Sequence, residues 1–279
     1  MERIKQAVEK SKKLHPSGAV HPAQPRSSNQ YAPAPLVAET QHELEDINYK
    51  QTRVVKLQME HLGKNRIFAF SKNNAMSMNI DLLRTQVLQK MKENGWRTLA
   101  ITSPTPEAGK TVVAINLAMS IAQQTDMTAM LVDFDLRRPK IGSYLGIPME
   151  KSLNDLLDGT AELPDVLINP DIPRLVVLAT KTPVSKSSET LSSKKISGLI
   201  KELRERYESR IIIFDLPPVL VIDDALALLP QVDCILLVVA NGMSTKREIE
   251  DSLRHLPAEK LIGTVFNKAE TKPTDHYYY

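Results

Sequence analysis

Six short runs between residues 97 and 267 constrain this chain more than anything else in it: "RTLAITS" (97–103), "TAMLVDFD" (128–135), "RLVVLAT" (174–180), "RIIIFDL" (210–216), "DCILLVVA" (233–240) and "LIGTVFN" (261–267). Most are nearly continuous in Ile, Val and Leu, with none of the polar alternation of a strand that has one wet face. Strands covered on both faces look like this. The segments between them carry helical spacing. Residues 194–208 place Ile196, Leu199, Ile200, Leu203 and Tyr207 on one face, and residues 245–256 align Ile249, Leu253 and Leu256 behind a capping box of Thr245 and Glu248. Alternating strand and helix predicts an α/β fold, a doubly wound and mostly parallel sheet flanked by helices. Ligands of such sheets bind at the carboxyl ends of the strands, so the chemistry belongs there.

Three strand ends are polar. The first run enters "SPTPEAGKT", Ser103 to Thr111, and a helix with Val113, Leu117 and Ile121 on one stripe follows. Strand, loop, Gly-Lys-Thr and helix is the context of a phosphate-binding loop. Backbone amides of Glu107, Ala108, Gly109, Lys110, Thr111 and Val112 can wrap a phosphate at the positive end of the helix. Lys110 would reach the outer phosphates, and Thr111 offers its hydroxyl to Mg²⁺. Pro104 stands where the general pattern has Gly, and Glu107 must turn its side chain outward. A left-handed backbone at Glu107 would cost about 1–2 kcal/mol.

The second strand end is "LVDFDLRRPK". Asp133 closes the strand, and strand period puts Asp135 on the same side. Two carboxylates beside a triphosphate repel it unless a hard cation such as Mg²⁺ intervenes, with Arg137 and Arg138 neutralising the rest. The third is "IIIFDLPP", where Asp215 follows an apolar strand in the manner of a Walker B acid and Pro217 and Pro218 stop the strand. The fold class expected is therefore a P-loop NTPase-type sheet. Its metal set is Thr111, Asp133 and Asp215.

The flanks differ from this core. Residues 1–30 hold six basic side chains against two acidic ones, while the whole chain carries a net +3, so the remainder is close to neutral and no nucleic-acid partner is expected. The expected organisation is a flexible basic, Pro-rich tail over residues 1–50, with one short amphipathic helix over residues 1–14 whose period runs through Ile4, Ala7, Val8, Ser11 and Leu14. A catalytic domain over 51–270 and a Tyr-rich tail over 271–279 follow, the latter ending in Tyr277, Tyr278 and Tyr279. No apolar run reaches the roughly 18 residues that a membrane-spanning helix needs, and the single cysteine, Cys234, sits in a strand-like run as a core residue. A cytoplasmic protein is expected.

These motifs together resemble the bacterial tyrosine kinases of exopolysaccharide and capsule biosynthesis. The resemblance runs from about residue 80 onward through "SPTPEAGKT", "VDFDLRRP" as a Walker A′ motif, "SSETLSS", "IIIFDLPPVLVIDDALALLPQVD", "FNK" and the terminal tyrosines. It implies an ATP-dependent tyrosine autokinase in which Lys110, Asp133, Asp135 and Asp215 are catalytic and Tyr277, Tyr278 and Tyr279 are phosphoacceptors. It also implies that Asn267 contacts adenine, that Arg137 helps hold the nucleotide, and that ATP and Mg²⁺ are the cofactors. Further implications are a membrane polysaccharide co-polymerase as activator, self-association, a cognate tyrosine phosphatase, and peripheral attachment to the inner face of the plasma membrane through the partner. Where the family's oligomerisation helix has a Glu and two Arg, this chain has Met78, Asp81 and Arg84. The alternative is a partitioning or division-site switch ATPase, whose loop carries a lysine five residues before the Gly-Lys lysine. Thr105 occupies that position here.

Overall fold

Each of the six apolar runs forms a strand, and the sheet they build explains their composition. The structure, a computed structural model, describes residues 52–71, 75–124, 126–206 and 209–269. The helix expected over residues 1–14, both tails with Tyr277, Tyr278 and Tyr279, and Tyr207 lie outside the described residues. The strands are β1 (Arg53–Val54), β2 (Thr98–Thr102), β3 (Thr128–Asp133), β4 (Ile168–Asn169), β5 (Leu175–Leu178), β6 (Arg210–Asp215), β7 (Cys234–Ala240) and β8 (Leu261–Asn267). They form a sheet in the order β1-β4-β5-β3-β6-β2-β7-β8. Every neighbouring pair is parallel except β4 with β5.

The pleat sends alternate residues to opposite faces, and both faces are dry. Leu99, Ile101, Leu131, Ile213 and Leu236 join one buried cluster. Their strand neighbours Ala100, Val132, Phe214 and Leu237 join the other. Two dry faces require apolar residues at successive positions, hence the unbroken runs. The two-residue strands β1, at the edge, and β4, beside it, were not foreseen, because two residues carry no period. Cys234 is a core residue as expected, and burial with the nearby Asp233 charge pushes its thiol up to about 12.

The helix after the phosphate loop, α3 (Lys110–Ala122), corrects the expectation of a single apolar stripe: it is buried on nearly every side. Between α1 (Met59–Lys64) and α3 runs α2 (Ala75–Glu93), which lies across the outside of α3 with Val87 and Met91 buried. A helix covered by the sheet on one side and another helix on the other has no wet face to mark. Its polar exceptions bind backbone. Asn116 accepts from the amides of Phe68 (2.8 Å) and Ala69 (3.0 Å) and donates to the carbonyls of Arg66 (3.1 Å) and Val112 (2.9 Å). It thereby staples residues 66–69 to the helix that follows the loop. Arg84 is likewise engaged within the subunit: its Nη1 donates to Asp81 Oδ1 (2.8 Å) and Ser120 Oγ (2.9 Å).

On the opposite face the amphipathic helices match expectation more closely. After α4 (Ile141–Leu145), α5 (Leu153–Asp158), α6 (Leu163–Val166) and α7 (Ser187–Leu191) comes α8 (Lys194–Glu205), which buries Ile196, Leu199, Ile200 and Leu203 and is capped by Ser193. Next is α9 (Asp224–Leu228), and α10 (Lys246–His255) starts at the foreseen capping box, Thr245 with Glu248. Leu253 departs from its expected place in the apolar stripe of α10: it is exposed, and only Ile249 and Leu256 pack inward.

Candidate active site

Parallel pairing brings the polar strand ends together. In the β3–β6 register Asp133 lies directly opposite Asp215, so two carboxylates stand on adjacent strand ends. Beneath them Phe134 and Phe214 stack with ring centroids 5.2 Å apart and planes 8° apart. The Phe134 amide donates to the Asp215 carbonyl (3.0 Å). A fully buried aromatic pair of this kind is worth about 1 kcal/mol beyond its area and locks the two ends in register. Each ring is the immediate sequence neighbour of a site aspartate, a signal the motif-based reading passed over.

The loop between β2 and α3 closes over these carboxylates. Glu107 is exposed with φ +64, as its outward placement required, and Gly109 has φ +92. Gly109 is the N-cap of α3 and has no side chain to satisfy the first helical amides. Those donors are left for an anion. Asn267, at the end of β8, donates its Nδ2 to the Ala108 carbonyl (2.8 Å). Asn267 was expected at the adenine; what the structure gives it is this bond, which ties the end of β8 to the loop.

Gly109 combines a left-handed backbone with a crowded Cβ position. A Cβ would lie 2.2 Å from Asn267 Nδ2, besides the left-handed φ. We expect Gly109→Ala to cost about 2 kcal/mol, from backbone strain and the lost Asn267 hydrogen bond. Urea unfolding measures this. Adding Asn267→Ala in the same background should restore little, because the amide is the movable end of a side chain and the strain stays in the backbone. Full recovery in the double variant would refute this account.

Inside the loop, Lys110 Nζ lies 2.7 Å from Asp135 Oδ2 and 3.5 Å from Asp215 Oδ1. Thr111 donates its hydroxyl to Asp215 Oδ2 (2.6 Å). All four side chains are buried. Asp135 reaches this cluster differently from the strand-period argument: β3 stops at Asp133, and Asp135 is carried in by the turn beyond, with its Oδ1 accepting the Arg138 amide (3.0 Å). Asp133 does not touch Lys110. Its Oδ2 accepts the amides of Lys140 and Ile141, each at 3.0 Å.

The electrostatics are unbalanced. One ammonium faces three carboxylates. Burial favours neutral Lys110, but the Asp215 and Asp135 charges outweigh it and raise its pKa. Burial raises Asp133 well above the carboxylate range, and the Asp215 charge adds to the rise. Asp215 is raised by burial, with Lys110 and the Thr111 hydroxyl opposing. Asp133 Oδ1 is the one buried side-chain polar atom among the described residues without a hydrogen-bond partner. Surplus negative charge and an orphaned carboxylate oxygen are what a hard dication would satisfy. No trio of His, Cys, Asp and Glu converges as a ready-made cage among the described residues. That agrees with Mg²⁺, which uses one or two carboxylates and completes its shell with water and substrate phosphates. Thr111, Asp133 and Asp215 fit that need.

Arg137 stands apart from this cluster. Its Nε donates to Ser187 Oγ (2.8 Å) and lies 3.4 Å from Asp224 Oδ2. Val112, the last residue of the expected cradle, lies in the first turn of α3.

A mostly parallel sheet with a phosphate loop between β2 and α3 and acids ending β3 and β6 defines a P-loop ATPase fold. No family model matches the chain. Relatives do. The tyrosine-protein kinase Ptk of Acinetobacter johnsonii is 30% identical over 172 residues, 61% of this chain and 23% of Ptk. The tyrosine-protein kinase CpsD of Streptococcus pneumoniae is 29% identical over 200 residues, 71% of this chain and 83% of CpsD. Among solved structures, the kinase domain of the Escherichia coli tyrosine kinase Etk superposes with TM-score 0.69 at 26% identity, covering 81% of this chain and 92% of that domain. The chain is thus similar to bacterial tyrosine kinases and to their kinase domains. It spans about a quarter of the length of the first curated relatives it matches. Among the described residues no helix is long and apolar enough to cross a membrane.

Proposed function

We propose that this chain is an ATP-dependent protein-tyrosine kinase that phosphorylates Tyr277, Tyr278 and Tyr279 and regulates exopolysaccharide polymerisation or export. The observation that carries the reading is the buried Lys110 ammonium between Asp135 and Asp215 beneath an amide-lined loop. In this reading the loop amides from Glu107 to Val112 bind the outer phosphates of ATP, and Lys110 leaves Asp135 to meet them. Asp135, so released, takes the proton of the attacking tyrosine hydroxyl. The new bond joins the tyrosine oxygen to the γ-phosphorus, and the bond that breaks frees ADP. Bound Mg²⁺ would neutralise phosphate charge, held by Thr111, Asp133 and Asp215. A membrane polysaccharide co-polymerase as activator, self-association and a cognate phosphatase belong to the same proposal, as does the tail-core-tail division at residues 50 and 270. A switch ATPase is disfavoured by Thr105 at its signature-lysine position and by the tyrosine kinases among the relatives.

Intact mass after incubation with Mg·ATP tests this. Wild type should gain about 80 Da per phosphate. Lys110→Met, and a variant with Tyr277, Tyr278 and Tyr279 all changed to Phe, should gain nothing. ADP release from an unphosphorylated wild type, unaltered by the cytoplasmic segment of a co-polymerase, would move the assignment to the switch ATPase.

A further inference from the structure

We propose that Asp224, together with Ser187 and Ser188, is a positioning group that aims Arg137 at the terminal phosphate of the nucleotide. The proposal rests on the nucleotide-binding reading above and extends it to residues that reading leaves without a role. Three loops leave the carboxyl ends of β3, β5 and β6, and one buried carboxylate ties them together. Asp224 is fully buried, and its Oδ1 lies against the Ser188 hydroxyl, whose single proton it shares with Asp223 Oδ1, 2.6 Å from the same oxygen. Its Oδ2 faces Arg137 Nε at 3.4 Å, and the same Nε donates to Ser187 Oγ at 2.8 Å. Further along, the Val184 amide donates to the Leu136 carbonyl (2.8 Å), joining the same two loops by backbone.

The anchor and the tip of Arg137 are in different environments. Asp224 is 0% exposed, whereas the Arg137 side chain is 45% exposed. Among the described residues its two Nη groups make no hydrogen bond. A guanidinium is planar, so fixing the Nε edge fixes where the other donors point. A purely structural ion pair has no need to hold a half-exposed arginine by a single edge. Arg137 lies two residues beyond Asp135, which itself pairs with Lys110. A positioned arginine at this place supplies positive charge that offsets the negative charge on the γ-phosphoryl oxygens during transfer, and it would distinguish a triphosphate from a diphosphate.

The test compares affinities of the full chain for Mg·AMP-PNP and Mg·ADP in wild type, Arg137→Ala, Asp224→Asn and the double variant. Melting temperature and phosphate incorporation are read alongside. A charge-assisted contact to phosphate corresponds to about a tenfold preference or more. Each single variant should lose about tenfold of the preference for AMP-PNP over ADP, and the double variant no more than either. Ser188→Ala, milder in its effect on folding, should shift the preference in the same direction by about two- to threefold. Full preference in Asp224→Asn with only a lower melting temperature would overturn the proposal. So would additive losses in the double variant, or an unchanged preference in Ser188→Ala should Asp224→Asn fail to fold. A wild type that prefers AMP-PNP but takes up no phosphate would sink the kinase reading alone. A wild type that binds neither nucleotide would sink both.

Discussion

Lys110→Met should abolish phosphate incorporation, by about a thousandfold, and should weaken the fold in a pH-dependent way. Lys110 is the cation that contacts Asp135 and Asp215, and it is itself buried. Removing one partner of a buried ion pair costs about 3 kcal/mol or more, because the stranded charge stays desolvated. Here the stranded groups have an escape. Asp133 and Asp215 already have raised pKa values through burial, and losing Lys110 raises them further. A carboxylate whose folded pKa lies above its unfolded value contributes stability that is complete below the unfolded pKa. That contribution is lost as pH rises through the folded pKa. The gap between wild type and Lys110→Met should therefore be smallest near pH 4, at the unfolded carboxylate pKa, where protons replace the ammonium, and should reach about 3 kcal/mol by pH 8. Urea unfolding at the two pH values measures it. A penalty equal at both would mean that Lys110 acts by packing alone.

The same cluster shows what the amino-acid order could and could not convey. Gly109, Lys110, Thr111, Asp133 and Asp215 were legible because each lies at the start or end of an element, and Asp135 because it follows Asp133 closely; the chemistry of phosphate and metal also admits few residue types. The strand runs were legible because two dry faces leave no alternation to misread. What failed were inferences about environment. Val113, Leu117 and Ile121 suggested a stripe, yet α3 is enclosed by α2 as well as the sheet, and a second covering helix leaves no mark on the first. Asn116 belongs to no sequence motif. Its role depends on the backbone of residues 66–69, dozens of positions earlier, meeting it. Asp224 lies within the quoted stretch that follows Asp215, but nothing in that stretch gives it a role. Its meaning comes from Arg137 and Ser188, side chains that only the crossover connections of the sheet bring beside it. Long-range polar pairing of this kind has no sequence period, so it could be found only once the topology was known.

The orphaned oxygen of Asp133 gives the site a stability cost that a single substitution can reveal. Asp133 is wholly buried; its Oδ2 takes two backbone amides and its Oδ1 takes nothing. Burial and the facing Asp215 charge raise its pKa well above that of a free aspartate. By the same sign rule, Asp133 stabilises the fold fully only below its unfolded pKa, and that contribution is lost as pH rises through the raised value. Asp133→Asn keeps one oxygen for the Lys140 and Ile141 amides and removes the charge. In EDTA the variant should be more stable than wild type by about 1 kcal/mol at pH 8, with the difference vanishing toward pH 4. Adding Mg·ADP should reverse the order: wild type gains stability by mass action, whereas the variant, short of a metal-binding carboxylate, gains little. Thermal melts of both proteins across pH, with EDTA and with Mg·ADP, provide the comparison. Were Asp133→Asn the less stable protein at pH 8 in EDTA, Asp133 would be a structural acceptor of two amides, and the buried charge would have to be compensated by something other than a cation.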